Sequence, residues 1–395
     1  MTVALLCLLC AGCGDSRVIS APGMRAYELS LAVTAGHAAV AWHGGPGDHN
    51  DIYLQWLDAA GAASGPPQQL THGPLEAYEP DLQLAGPTPV LAWYEKDAAG
   101  AMSHAWLVRL DAHGHELWRR SLSAADGAAR NPVVRLAANG ISVAWIETSP
   151  AQPAPGAASV PATSASAAAL SEVWAARYDL AGRLLSGPVA AGPANANTWN
   201  LNGAVDADGI FHVVYDASLG SRSHELRLAI VDGTQVRNRP LSPDGIETVY
   251  PDLRFSSTGT AALTWFDERD RHDEVHFGLL AHSALEAARM PFWHRASSTR
   301  DPSFGAYLAW NGTRLAIAWC DRRSGIAQVY ARSFDAEGRP LGPEHRLSHT
   351  GSTGSIPSIQ PWGTGFLVAW NEYRSTGGGG HGGILSSRAV IARVE

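Results

Sequence analysis

The chain has 395 residues, a net charge of −8 and four cysteines. That length admits one large repeat domain or two to three ordinary ones, and a 45% hydrophobic content is enough to bury a core. Lys96 is the single lysine among 29 basic residues; an acidic chain with no basic tail is no non-specific nucleic-acid binder, and 41 glycines with 24 prolines argue against a mainly helical fold.

Residues 3–12 read VALLCLLCAG, an apolar run too short to span a bilayer as a helix. Leu9-Cys10-Ala11-Gly12-Cys13 resembles a bacterial lipobox, with small residues directly before a cysteine. The expectation is a lipoprotein-type signal over 1–12, lipidation at Cys13, a short tether over 13–16 and a single domain over 17–395. No later stretch is apolar for the roughly 18 residues that a membrane helix needs. Cys320 is then the one cysteine of the body, so an internal disulfide is impossible. It reads as a buried, inert thiol.

A short strand ending in an aromatic residue recurs along the chain, at Trp42, Trp93, Trp145, Tyr215, Trp265, Trp319 and Trp370. A glycine precedes it by five to seven residues each time (Gly36, Gly86, Gly140, Gly209, Gly259, Gly312 and Gly365), which reads as a hairpin turn. A third strand follows and ends in D-x-x-G, as at Asp58–Gly61, Asp111–Gly114, Asp179–Gly182 and Asp335–Gly338. Aspartate accepts turn N–H groups and glycine takes the left-handed position. A fourth strand ends in an apolar residue plus Ser or Thr, as in Leu70-Thr71, Leu122-Ser123, Leu241-Ser242 and Leu347-Ser348. Four antiparallel strands in units of about 50 residues describe propeller blades. The expected fold is all-β, a seven-bladed β-propeller. The 70-residue step from Trp145 to Tyr215 holds an Ala/Pro/Ser-rich loop at 149–172.

The spacing also predicts how the ring closes. Thr71 to Trp93, Ser123 to Trp145 and Ser348 to Trp370 each span 22 residues, and so does Ser20 to Trp42. The N-terminal RVIS therefore reads as a fourth strand without its first three. The last unit runs out after its third strand. Residues 17–20 are expected to pair with 387–394, which removes two open sheet edges.

Three units carry W-x-[DE]-x-R, at Trp265–Arg269, Trp319–Arg323 and Trp370–Arg374, and Glu95 and Glu147 keep the acid alone. With the D-x-x-G turns, this repeat resembles bacterial secreted propellers distantly similar to the sialidase-like superfamily. The resemblance implies the propeller fold and, as one reading, a sialidase-like glycoside hydrolase. The chain departs from the Asp-box S-x-D-x-G-x-x-W: its nearest stretch, Ser333–Gly338, places the glycine one position late and lacks the tryptophan. The acid–arginine pairs read as bridges between neighbouring blades.

Loops from strand four to strand one bring Tyr27, Tyr78, Arg130, Trp199, Tyr250 and Arg300 toward the axis, a mixture of aromatic and polar groups suited to a sugar or an extended peptide. Glu79, Glu247 and Asp301 are the candidate carboxylates for glycoside hydrolysis. Asp270, His272, Asp273 and His276 form a candidate cation loop. No cofactor is expected. G-x-S-x-G, H-E-x-x-H and P-loop motifs are absent from the sequence. The leading expectation is a non-catalytic scaffold in the bacterial cell envelope, on the periplasmic or cell-surface side, held to the membrane by its lipid alone. Its loop face would bind an envelope protein or a glycan, and the alternative is the hydrolase.

Overall fold

A computed structural model of the chain describes residues 16–97, 103–124, 128–138, 140–149, 170–220, 223–242, 246–269, 272–285, 293–349, 351–375 and 384–395. The fold is all-β and propeller-like. After β1 (Arg17–Val18) comes a four-stranded sheet of β2 (Arg25–Thr34), β3 (His37–Gly45), β4 (Asp51–Leu57) and β5 (Gln68–Gln69). The next sheet holds β6 (Glu76–Ala85), β7 (Thr88–Lys96), β8 (Ser103–Leu110) and β9 (Glu116–Ser121). Two further units follow. One is β10 (Ala128–Ala137), β11 (Gly140–Ser149), β12 (Leu170–Tyr178) and β13 (Leu184–Ala190); the other is β14 (Asn197–Val205), β15 (Phe211–Ser218), β16 (Glu225–Asp232) and β17 (Gln235–Pro240). A single parallel pair, Ser171 with Asn197, joins these two units into one eight-stranded sheet.

Then come β18 (Thr248–Phe255), β19 (Thr260–Asp267), β20 (Glu274–Ala281), the short helix α1 (His282–Leu285) and β21 (His294–Arg295). A further sheet holds β22 (Ser303–Asn311), β23 (Arg314–Asp321), β24 (Gln328–Phe334) and β25 (His345–Arg346). The chain ends with β26 (Thr353–Trp362), β27 (Gly365–Ser375) and β28 (Ile384–Val394), and β1 is the fourth strand of that sheet. Arg17 pairs with Ile391 and Val18 with Val390, as the spacing of Ser20 predicts. β11 and β12 take Ser149 and 170–172 out of the expected Ala/Pro/Ser loop, and 150–169 lie outside the described residues.

The turn residues do what the repeat requires. Oδ1 of Asp58 accepts the N–H groups of Ala60 and Ala62 at 2.8 and 2.9 Å, and Asp111 and Asp335 repeat the pattern. Gly36, Gly86, Gly209, Gly259 and Gly312 are left-handed, whereas Gly140 and Gly365 are ordinary strand residues. Glycine is needed at those two for another reason. A Cβ on Gly365 would stand 2.3 Å from the carbonyl oxygen of Val394, and Gly363 makes that turn instead.

The first strands pack on one another in succession: β2 on β6, β6 on β10, β10 on β14, β14 on β18, β18 on β22, β22 on β26, and β26 on β2. Side chains tie four of these pairs together. Ser30 Oγ accepts the N–H of Leu82 at 2.9 Å, Asp81 that of Val134 at 2.7 Å, Asp252 that of Leu308 at 3.0 Å and Ser358 that of Leu31 at 3.0 Å. The apolar core lies between faces of neighbouring sheets, and Trp42, Trp93, Trp145, Trp319 and Trp370 are wholly buried there. Removing any one of these rings costs about 3–5 kcal/mol.

The W-x-[DE] motif is local. Trp93, Trp145, Trp265 and Trp370 donate their indole N–H to the acid two residues on, at 2.9 to 3.3 Å. Arg269 and Arg323 fork onto their own Asp267 and Asp321. This corrects the bridging expectation: the pairs fasten one loop to its own strand. Glu372 takes Arg388, at 2.7 Å, and not Arg374.

Candidate functional site

At one level of the molecule every first strand slips by a residue against its second strand. The slips lie between Tyr27 and Ser30, Tyr78 and Asp81, Arg130 and Val133, Thr198 and Leu201, Val249 and Asp252, Phe304 and Tyr307, and Ser355 and Ser358. In six of these bulges one residue is left-handed: Glu28 (φ 48°), Glu79 (50°), Asn131 (48°), Tyr250 (54°), Gly305 (60°) and Ile356 (43°). The five that are not glycine are the complete set of such residues among those described. Each costs about 1–2 kcal/mol. Proline follows at 80, 132, 251 and 357, where the broken ladder no longer asks for an N–H. Strain confined to one ring of positions is the mark of a site whose side chains must be aimed.

These bulges line a central channel enclosing about 190 Å³, with Glu28, Glu79, Asn131, Asn200, Tyr250 and Tyr307 on its wall. Burial pushes Glu79 up to about 7, against the opposing charges of Arg130 and Lys96. Glu28 rises well above the ordinary range, through burial first and the charge of Glu79 second. Its carboxyl is enclosed by protein, yet it keeps 30% side-chain exposure because it faces the open channel. His43 Nδ1 lies 3.7 Å from Glu28 Oε2 and accepts the N–H of Glu79 at 3.4 Å. Burial also raises the phenols of Tyr94, Tyr250 and Tyr307, so they stand neutral as donors. Arg130 donates to the carbonyls of Thr198 and Trp199 at 2.7 and 2.9 Å. Two acids that resist ionising, beside phenols and amides, offer donors and acceptors with little net charge.

Of the residues singled out in the sequence, Glu79 and Tyr250 line the channel, and the charge of Arg130 acts on both. Tyr27 packs on His43 at 5.6 Å, and Tyr78 lies between His43 and Tyr94 under Lys96. Trp199 is 46% exposed and leans on His224 at 3.7 Å. The expected carboxylate set is not assembled. Glu247 accepts from His224, at 2.9 Å from its N–H and 3.0 Å from Nδ1. Asp301 turns back on Thr299, and Arg300 is exposed beside it. The bulge of that sheet falls at Gly305, four residues beyond Asp301, so Arg300 and Asp301 sit in the approach loop.

The acid beside Glu79 is Glu28, which the sequence reading missed. Its signal was available: Glu28 precedes Glu79 by 51 residues, the same step as Trp42 to Trp93. The candidate cation loop is also divided. His272 faces Glu274 and His276 faces Asp267, each at 3.4 Å, while Asp273 makes no cluster with them and Asp270 lies outside the described residues. Cys13 and residues 1–12, the expected signal, lie outside them too. Cys320 is fully buried, and burial pushes its thiol up to about 12.

No protein-family model and no curated protein matches this sequence. Solved structures do. A protein of unknown function from Dyadobacter fermentans is 12% identical with a TM-score of 0.56, over 96% of this chain and 98% of its own. Phage phi92 endosialidase is 10% identical with a TM-score of 0.52, over 97% of this chain and 69% of its own. The α-L-arabinanase of Penicillium chrysogenum, solved with arabinobiose, is 13% identical with a TM-score of 0.51, over 80% and 92%. At such identities the likeness is one of fold.

Proposed function

We propose that this chain is a seven-bladed propeller, closed by its N-terminal strand, that binds a neutral glycan in the axial channel without cleaving it. The observation that carries the reading is the ring of strained bulges aiming Glu28, Glu79, Asn131 and Tyr250 at one space. Sugar hydroxyls need donors and acceptors at short range and gain little from net charge. The paired acids disfavour an anionic ligand, and Arg130 already serves two backbone carbonyls. The sialidase and arabinanase neighbours show that this fold accommodates glycan chemistry, and they lend the reading that much support.

The test is a binding screen of the purified chain with arabinan oligosaccharides, other neutral oligosaccharides and sialylated ones, with reducing-sugar release followed in parallel. Binding of a neutral glycan that is weakened at least tenfold by Glu79→Gln and Glu28→Gln, without release, supports the proposal. Failure to bind any of them overturns it.

A second reading rests on the paired carboxyls. One acid protonated beside one ionised is the arrangement of a glycoside hydrolase. Sugar release abolished by either Gln variant would establish that reading in place of the first. The envelope address is proposed from the lipobox alone; Cys13→Ala should release the protein from the membrane fraction.

A further inference from the structure

Away from the channel, Asp206, His212 and His282 converge from two neighbouring sheets. Asp206 opens the turn between β14 and β15, His212 stands on β15, and His282 is the first residue of α1 after β20. One ligand atom from each residue lies within 4.8 Å of the others. The carboxylate is set by its own turn. Oδ1 accepts the N–H groups of Asp208 and Ile210 at 3.0 and 2.8 Å. That fixes Oδ2, which lies 2.8 Å from His282 Nε2 and 3.8 Å from His212 Nδ1.

The surroundings sharpen the picture. The side chains of Asp206 and His212 are 4% and 2% exposed, and His282 is 39% exposed, so the cluster opens to solvent on one side only. Phe255 packs against both imidazoles, at 5.0 and 5.6 Å, and forms an apolar wall with Ile210 and Ala284. His212 Nδ1 also contacts the carbonyl of Ile210 at 3.2 Å.

We infer that Asp206, His212 and His282 form a site for one divalent transition-metal ion of the zinc class. Two imidazoles, which are borderline donors, with one carboxylate suit zinc, cobalt, nickel or copper, and not the all-oxygen preference of calcium or magnesium. Three protein ligands leave a position for water at the exposed side of His282. The hydrogen bonds to Asp206 Oδ1 supply the outer support that such ligands require. Loading exchanges the contact between His212 and the Ile210 carbonyl for a bond to the ion. Because the ligands come from two sheets, the ion clamps α1 to the β14–β15 turn. No reaction is assigned to it.

The experiment is calorimetric titration of the untagged, chelator-treated chain with Zn²⁺, with Co²⁺ absorption as an independent readout. The expected result is one ion per chain, a higher Tm when loaded and a tetrahedral Co²⁺ spectrum. His282→Ala, at the most exposed of the three ligands, should weaken binding by at least about tenfold. Asp206→Asn should do the same, and the His113→Ala/His115→Ala double variant should leave binding unchanged. A wild-type chain that takes up no Zn²⁺ overturns the inference. So does uptake that survives both ligand variants or is lost in the double variant.

Discussion

The hydroxyl of Ser20 accepts the backbone N–H of Ala389 at 3.1 Å, joining the start of the described chain to its last strand. The Thr71 hydroxyl likewise accepts the N–H of Ile52 at 3.0 Å, Ser242 that of Leu226 at 2.9 Å and Ser348 that of Val329 at 2.8 Å. Ser20 thus performs for the last sheet what the final hydroxyl of a fourth strand performs elsewhere. Ile19, 3% exposed, carries this join into the core beside Trp42, Leu367 and Ile391. Ile19→Ala should therefore cost about 2–5 kcal/mol. Urea denaturation checks it, and a cost below that of an exposed Val18→Ala control would count against the join.

Glu28 and Glu79 hold the same left-handed position on adjoining first strands, and the charge of Glu79 helps keep a proton on Glu28. Glu79 titrates near 4.5 when unfolded and at about 7 when folded. The folded state therefore holds this proton more tightly. Its contribution to stability is complete below pH 4.5 and is lost as the pH rises through 7. The Tm of the wild type should fall between pH 5 and pH 8 by several degrees more than that of Glu79→Gln. Carboxyl NMR of Glu79→Gln should also show Glu28 titrating lower than in the wild type.

The strand plan was legible because the tryptophans, D-x-x-G turns and terminal hydroxyls recur at fixed intervals, and those that hydrogen-bond, such as Trp93 and Ser348, do so within their own unit. The bulges were harder to see, since a left-handed residue announces itself in sequence mainly when it is glycine, and here it is Glu, Asn, Tyr or Ile. The signal lay one residue later, in Pro80, Pro132, Pro251 and Pro357, which share a position in four units. Arg300 and Asp301 were expected at the axis, but the position 14 residues before the repeat tryptophan, held by Glu79 before Trp93, is Gly305 before Trp319. Contacts between distant segments left no local trace at all. Arg388 displaces Arg374 at Glu372, and His224 takes Glu247 away from the channel.

Asp267 is fully buried and receives the Trp265 indole, the Arg269 guanidinium and His276. Burial alone would raise its carboxyl, but the bonds from His276 and Arg269 outweigh this and hold it well below the ordinary 3.8. Its stabilisation is present above pH 3.8 and is lost as the pH falls toward the depressed folded value. Asp267→Ala leaves the partly buried Arg269 guanidinium without its fork and should cost about 3 kcal/mol at neutral pH. The difference between variant and wild type should shrink on acidification, as urea midpoints at pH 7 and pH 3 would reveal.

Ile356 tests the bulge itself. A β-branched residue at φ 43° is the least suited of the five, and its half-exposed side chain belongs to none of the core clusters. Asn131 occupies the same position two sheets away from Glu28 with a residue type that tolerates this backbone. Ile356→Asn should thus stabilise the chain by about 1 kcal/mol, the strain of a left-handed residue. Ile356→Val keeps both the branch and the strain and should give no gain. If Val stabilises as much as Asn, backbone strain is not what the substitution relieves. The five left-handed residues would then be tolerated by packing and not imposed by the channel they face.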